Sequence, residues 1–168
     1  ERAEIRRSDD GIETDMVVVV SPEDDVEIRR VTLINRSLRR RRLGVTSYVE
    51  LALAPHRADR QHPAFQKLFV EAEGIEGQPV LVAQRRLRSE NEPPVWVAHR
   101  FTVENGPDVS WTHETDRGRF IGRGRTLADP AGARGLQRAA QGFTLDPIFS
   151  LRGEFELGPG HRATFAVV

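Results

Sequence analysis

The stretch EIRRSDDGIETDMVVVVSPEDDVEIRRVTLIN, residues 4–35, decides the fold. Glu4–Ser8 leads into the turn Asp9-Asp10-Gly11, Ile12–Val20 into the turn Ser21–Asp25, and Val26–Asn35 follows. Met16–Val20 is a near-continuous apolar run, and β-branched residues dominate the second and third segments. Extended apolar runs joined by Asp-Gly and Ser-Pro turns read as antiparallel hairpins.

The pattern continues outward. Asn35-Arg36-Ser37 signals a turn, and the basic run Arg39–Arg42 reads as a solvated hairpin end, with an anion or polysaccharide contact as the alternative. Leu43–Leu53 reads as one strand: Leu43, Val45, Ser47, Val49, Leu51 and Leu53 share one face, and Thr46, Tyr48 and Glu50 the other. Ala54–Lys67, punctuated by Pro55 and Pro63, reads as a long connection with one helical turn near Ala64–Lys67. Strands are expected at Leu68–Ala72, Val80–Arg86, Val95–Val103 and Val109–Glu114. In the third of these, Trp96, Ala98 and Arg100 lie opposite Val97, His99 and Phe101. Asp116–Phe120 reads as a helical turn capped by Thr115 or Asp116. Ala131–Gln141 reads as a loop or short helix; strands follow at Gly142–Leu145, Leu151–Leu157 and His161–Val168. Many short strands with only minor short helices and no βαβ alternation mean an all-β, antiparallel sandwich or barrel.

The 168 residues suit one β-sandwich domain, 1–168. A formal net charge of zero gives no global field to recruit nucleic acid. The absence of cysteine excludes a thiol nucleophile and a thiolate metal cluster. No apolar run approaches the roughly 18 residues of a membrane helix. The chain starts at Glu1 and stops inside the apolar run Thr164–Val168, so a piece of a larger multidomain polypeptide is expected.

Reactive constellations do not emerge. His56, His62, His99, His113 and His161 form no His-x-x-x-His pair, so no metal and no cofactor is expected. Asp9-Asp10 and Asp24-Asp25 are explained by their turns, where aspartate bonds its own backbone. The serines lack a nucleophile elbow. Gly122-Arg123-Gly124-Arg125-Thr126 is only superficially like a phosphate loop, lacking a Lys-Ser/Thr ending. No catalytic residue is expected in this chain. Trp96 and Trp111 fit either core packing or stacking against a sugar's C–H face.

Several segments, in order, resemble the β-sandwich domain of the glycosyltransferase 36 group, the inverting disaccharide phosphorylases. They are Asp10–Thr14, Ser21–Asp25, Thr46–Glu50, His62–Phe69, Glu114–Arg117, Arg119–Gly124, Leu145–Ile148 and Leu157–Gly160. The order is closer to the related region of bacterial cyclic β-1,2-glucan synthetases. The resemblance implies a supersandwich of the galactose-mutarotase type, preceding an (α/α)6 barrel that carries the catalytic acid and the phosphate site. It implies a non-catalytic domain that supports the barrel and shapes a β-glucan site, with a parent glycosyltransferase or glycoside phosphorylase. A homodimer and a cytoplasmic location, as the soluble part of an inner-membrane protein, accompany that expectation. Arg119, Phe120, Arg123 and Arg125, then Trp96 and Trp111, are the candidates for touching sugar or the barrel. The alternative for the arginines is structural pairing with Asp116 or Asp129. Two other functions compete: a free-standing carbohydrate-binding module, which predicts glucan affinity lost on Trp96→Ala or Trp111→Ala, and a sugar epimerase, which needs a His/Glu pair on a concave sheet.

Overall fold

The computed structural model describes residues 1–135 and 144–168. In chain order the elements are β1 (Arg2–Asp9), β2 (Ile12–Val20), β3 (Glu27–Asn35), β4 (Arg41–Thr46), β5 (Val49–Glu50), α1 (His56–Gln61) and α2 (Pro63–Lys67). There follow β6 (Val70–Gly74), β7 (Val80–Arg85), β8 (Val95–Asn105), β9 (Ser110–Asp116), α3 (Arg117–Ile121), a 3-10 turn at Ala131–Ala133, β10 (Pro147–Leu157) and β11 (Arg162–Val167). Among the described residues the strands make two antiparallel sheets and no barrel, the sandwich rather than the barrel of the two architectures that the strand pattern allows. No helix among the described residues is long and apolar enough to cross a membrane.

The chain divides into two compact units. The first comprises Glu1–Val45, Arg100–Ser110 and Gly153–Val168. Its main sheet runs β1-β2-β3-β11-β8. The β1–β2 hairpin closes through Asp10 and Gly11 alone, because Asp9 pairs with Ile12. Both turn residues have positive φ, 44° and 74°, the handedness that matches the twist of paired strands. β2 then pairs with β3 over nine consecutive positions, Ile12↔Asn35 through Val20↔Glu27. One face of this sheet carries Leu33, Ala163, Phe165, Val167 and Phe101, all buried. Phe165 meets Phe101 at 5.5 Å and Phe155 of β10 at 4.9 Å, which packs the second layer onto the first.

Asn35 ties two turns of this unit together. It is 0% exposed, so its amide must be satisfied internally. Its Nδ2 donates to the carbonyls of Arg39 (2.8 Å) and Leu157 (2.9 Å). Its Oδ1 accepts from the Ser37 amide (3.0 Å) and hydroxyl (2.6 Å). The turn signal Asn35-Arg36-Ser37 thus has a tertiary cause as well as a local one. The basic run after it is not all hairpin end, because Arg41 and Arg42 belong to β4. Arg40, Arg41 and Arg42 pair with Glu156, Asp10 and Glu154.

The second unit comprises Thr46–His99 and Trp111–Arg152. Its sheets are β8-β7-β6 and the pairing of β5 and β9 with β10. Its buried apolar residues include Leu51, Val70, Leu81, Ala83, Phe120, Ile148, Phe149 and Leu151, and His99 of β8 stacks on Phe149 of β10 at 5.8 Å. Here three expectations are corrected. The single strand at Leu43–Leu53 is broken between β4 and β5. Ser47 causes the break: its amide donates to the Leu151 carbonyl (2.9 Å), its Oγ accepts from the Leu151 amide (3.0 Å), and its carbonyl accepts from the Ser150 hydroxyl (2.8 Å). The long connection Ala54–Lys67 holds two short helices rather than one turn, with Pro63 at the first position of α2, where a missing N–H costs nothing. The strand expected at Gly142–Leu145 is absent at Thr144 and Leu145, which are irregular; Gly142 and Phe143 lie outside the described residues, as does the 136–141 part of the expected loop.

Candidate functional site

β9 delivers the chain into α3, and the turn between them is set by two carboxylates. Glu114 is 4% exposed, and its Oε1 accepts from the amides of Thr115 (2.9 Å) and Asp116 (3.0 Å). Asp116 caps α3, accepting from the Arg119 amide at 2.9 Å, and its other oxygen takes the Thr144 hydroxyl at 2.6 Å. The helical turn and the Asp116 cap are therefore as expected from the sequence.

α3 separates the candidates that follow one another in sequence. Phe120 points inward, is 3% exposed, and lies 4.9 Å from the Tyr48 ring. Arg119 is solvent-facing, with its Nε 3.9 Å from Glu114. Gly122 ends the helix with φ 83°, and a Cβ there would meet that of Ala131 at 2.9 Å. Arg123 is exposed beyond it. Arg125 pairs with Asp129 at 2.9 Å, and Arg134 reaches the same carboxylate at 2.9 and 3.0 Å. Of the four, Arg119 and Arg123 present guanidinium groups to solvent without a close ion pair of 3 Å or less.

Below α3 lies a polar cluster that the candidate set missed. The Tyr48 hydroxyl donates to Glu50 at 2.7 Å. The Nε of Arg117 donates to both, at 3.1 and 3.0 Å. Asp146 lies 3.7 Å from Arg117 and takes Lys67 at 2.5 Å. Burial, and then the hydrogen bond with Glu50, push the Tyr48 phenol up to about 12. The same hydrogen bond, aided by Arg117, holds the Glu50 carboxyl below its ordinary value. The signal for this cluster was in the alternation that put Tyr48 and Glu50 on one strand face. Arg117, Lys67 and Asp146 come from distant positions and gave none. Two cations and two carboxylates neutralise one another here, so the cluster clasps α2, α3 and β5 rather than presenting charge.

The tryptophans border different clefts. Trp111 is half-buried in β9 and lines a groove of about 730 Å³ with His113, Thr115, Leu151 and the β6–β7 turn. β9 approaches β6 closely there: a Cβ on Gly74 would lie 2.7 Å from the His113 ring. Trp96 is 62% exposed in β8 and borders a second cleft with Glu71, Glu73, Val82 and Gln84.

His99 Nε2 lies 2.8 Å from Ser47 Oγ. That hydroxyl also accepts from the Leu151 amide, so it anchors β10 at the strand break rather than facing open space. Among the described residues no three His, Asp or Glu side chains converge to hold a metal ion.

The comparisons with known proteins agree with this architecture. Residues 1–168 match the family described as glycosyl hydrolase 94, supersandwich domain. Over 166 residues the chain is 37% identical to the cyclic beta-(1,2)-glucan synthase NdvB of Rhizobium meliloti (strain 1021). That alignment covers 98% of this chain and 6% of the relative, so the chain spans a small part of that protein's length. The two-sheet antiparallel fold and the match along its whole length make this chain a member of the glycosyl hydrolase 94 supersandwich-domain family.

Proposed function

We propose that this chain is a non-catalytic β-sandwich of a carbohydrate-active enzyme, which packs on an (α/α)6 catalytic barrel and shapes the site where that barrel handles a β-1,2-glucan. The observation that carries the reading is the whole-length match to a supersandwich domain and to a small part of a cyclic beta-(1,2)-glucan synthase. The state of the polar groups supports it. The close Ser–His and Glu–Tyr pairs are engaged in holding strands and helices together, and such anchoring is poorly suited to turnover. Loops carry function more often than the strands they join, so the exposed α3 loop with Arg119 and Arg123 is the first surface to assign to the barrel or its substrate.

The test is association in trans. The 168-residue chain is mixed with a separately produced (α/α)6 segment of its parent and followed by calorimetry and size-exclusion chromatography. A stoichiometric complex, weakened by Arg119→Ala with Arg123→Ala, is the expected result. Failure of a folded chain to bind the barrel, or glucan turnover by the chain alone, overturns the proposal.

A further inference from the structure

We propose that the outer face of β6, β7 and β8 is a binding platform for one pyranose ring of a β-linked glucan, centred on Trp96. Alternation builds the face. The register pairs Glu71 with Gln84 and Glu73 with Val82, so these four side chains share one side of the sheet. Their neighbours Val70, Leu81, Ala83 and Arg85 are buried on the other side. Trp96 borders the same cleft as Glu71, Glu73, Val82 and Gln84, which places its indole on the outer side.

A tryptophan 62% exposed near the start of β8 leaves a large apolar surface in water, and no described residue partners its ring. The cleft beside it is about 220 Å³, below the roughly 300 Å³ where drug-sized pockets begin, so it suits one sugar ring. Its walls are acceptor-rich. Gln84 Nε2 donates to Glu71 at 3.1 Å, and Arg86 neutralises Glu71 at 3.2 Å. Glu73 has no partner among the described residues and offers two oxygens to donors. A β-glucopyranose matches this set, with an apolar C–H face for the indole and a rim of hydroxyls for Glu73 and the Gln84 carbonyl. A protein partner would need a broader apolar face. Only Val82 and Trp96 supply apolar side chains to this cleft, apart from the two alanines beneath.

The choice of sugar rests on the carbohydrate reading above, whereas the platform itself is independent of barrel docking. The experiment is a two-dimensional NMR titration of the 168-residue chain with β-1,2-linked gluco-oligosaccharides, reading the indole N–H signals of its two tryptophans. The Trp96 signal is expected to shift saturably while that of Trp111 stays in place. Trp96→Ala is expected to weaken binding roughly tenfold or more. Glu73→Gln, which keeps shape and removes charge, is expected to weaken it severalfold without altering the fold. No Trp96 shift at millimolar sugar overturns the platform. So does a shift with tetramethylammonium but not with sugar, since that marks a cation site. If Trp96→Ala abolishes barrel association and no sugar binds, the face is the docking surface: the platform falls and the proposed function stands. If sugar binds at Trp96 and the barrel does not associate, the platform stands alone.

Discussion

The two units bury different chemistry. In the first, the buried polar side chains among the described residues are Thr32, Asn35 and Thr164, all uncharged and all on strands. In the second they include Arg85, Glu114, Arg152, His99 and Gln66. Arg85 shows the consequence. Its guanidinium takes Gln66 Oε1 at 3.1 Å and Glu92 at 3.4 Å, and lies 5.5 Å from the Phe69 ring. The first unit is held by aromatic packing with uncharged polar pins. The second adds charged polar clasps to its own apolar core, and these fix short, irregular elements; such clasps are costly when half removed. Both tryptophans and the α3 loop lie on the second.

The sharpest way to break this contrast is through the rings of the first unit. Phe165 is fully buried between Phe101 and Phe155, so Phe165→Ala should cost about 3–5 kcal/mol in urea unfolding. A cost below about 1 kcal/mol would show that the aromatic centre is not what holds that unit. Asn35→Ala comes next. It strands the carbonyls of Arg39 and Leu157, and about 2–3 kcal/mol should be lost by the same measurement. In the second unit, Gln66→Leu removes an acceptor from a buried guanidinium and should cost about 1–3 kcal/mol.

The pH dependence of the clasp is read from one chromophore, because Tyr48 is the sole tyrosine. Its phenolate absorbance should titrate near pH 12 in the folded protein against 10.0 for the free side chain. A phenol raised in the folded state contributes stability that is fully present below pH 10.0 and lost as pH rises toward about 12. Glu50→Gln should lower the Tyr48 value only part of the way, since burial is its leading cause. A return to 10.0 would mean that Glu50, not burial, sets it. The smallest effect belongs to the first unit's surface. Arg6→Ala breaks a 3.1 Å pair with Asp15 from a side chain 79% exposed and should change stability by less than about 1 kcal/mol.

The same contrast explains what could be read from residues alone. β1, β2 and β3 were legible to within two residues because a two-residue Asp-Gly turn and contiguous β-branched runs are local signals. The inward and outward halves of β8 were legible for the same reason: Trp96, Ala98 and Arg100 are exposed, while His99 and Phe101 are buried. The break at Ser47 was not, since its partners are Ser150 and Leu151, about a hundred positions away. α1 was missed because it has no side-chain cap and no buried residue, leaving no apolar stripe to detect. Within the candidate set, grouping Phe120 with its flanking arginines could not tell the two sides of a five-residue helix apart. Tyr48 supplies the ring that draws Phe120 inward.

β1 is outermost in its sheet, and all eight of its side chains are exposed. Detaching it from β2 uncovers little new apolar area, so the free energy of that local opening is small compared with unfolding β11, whose residues are mostly buried. The amide hydrogens of β1 are expected to exchange for deuterium early, through fraying, and those of β11 only when the unit comes apart.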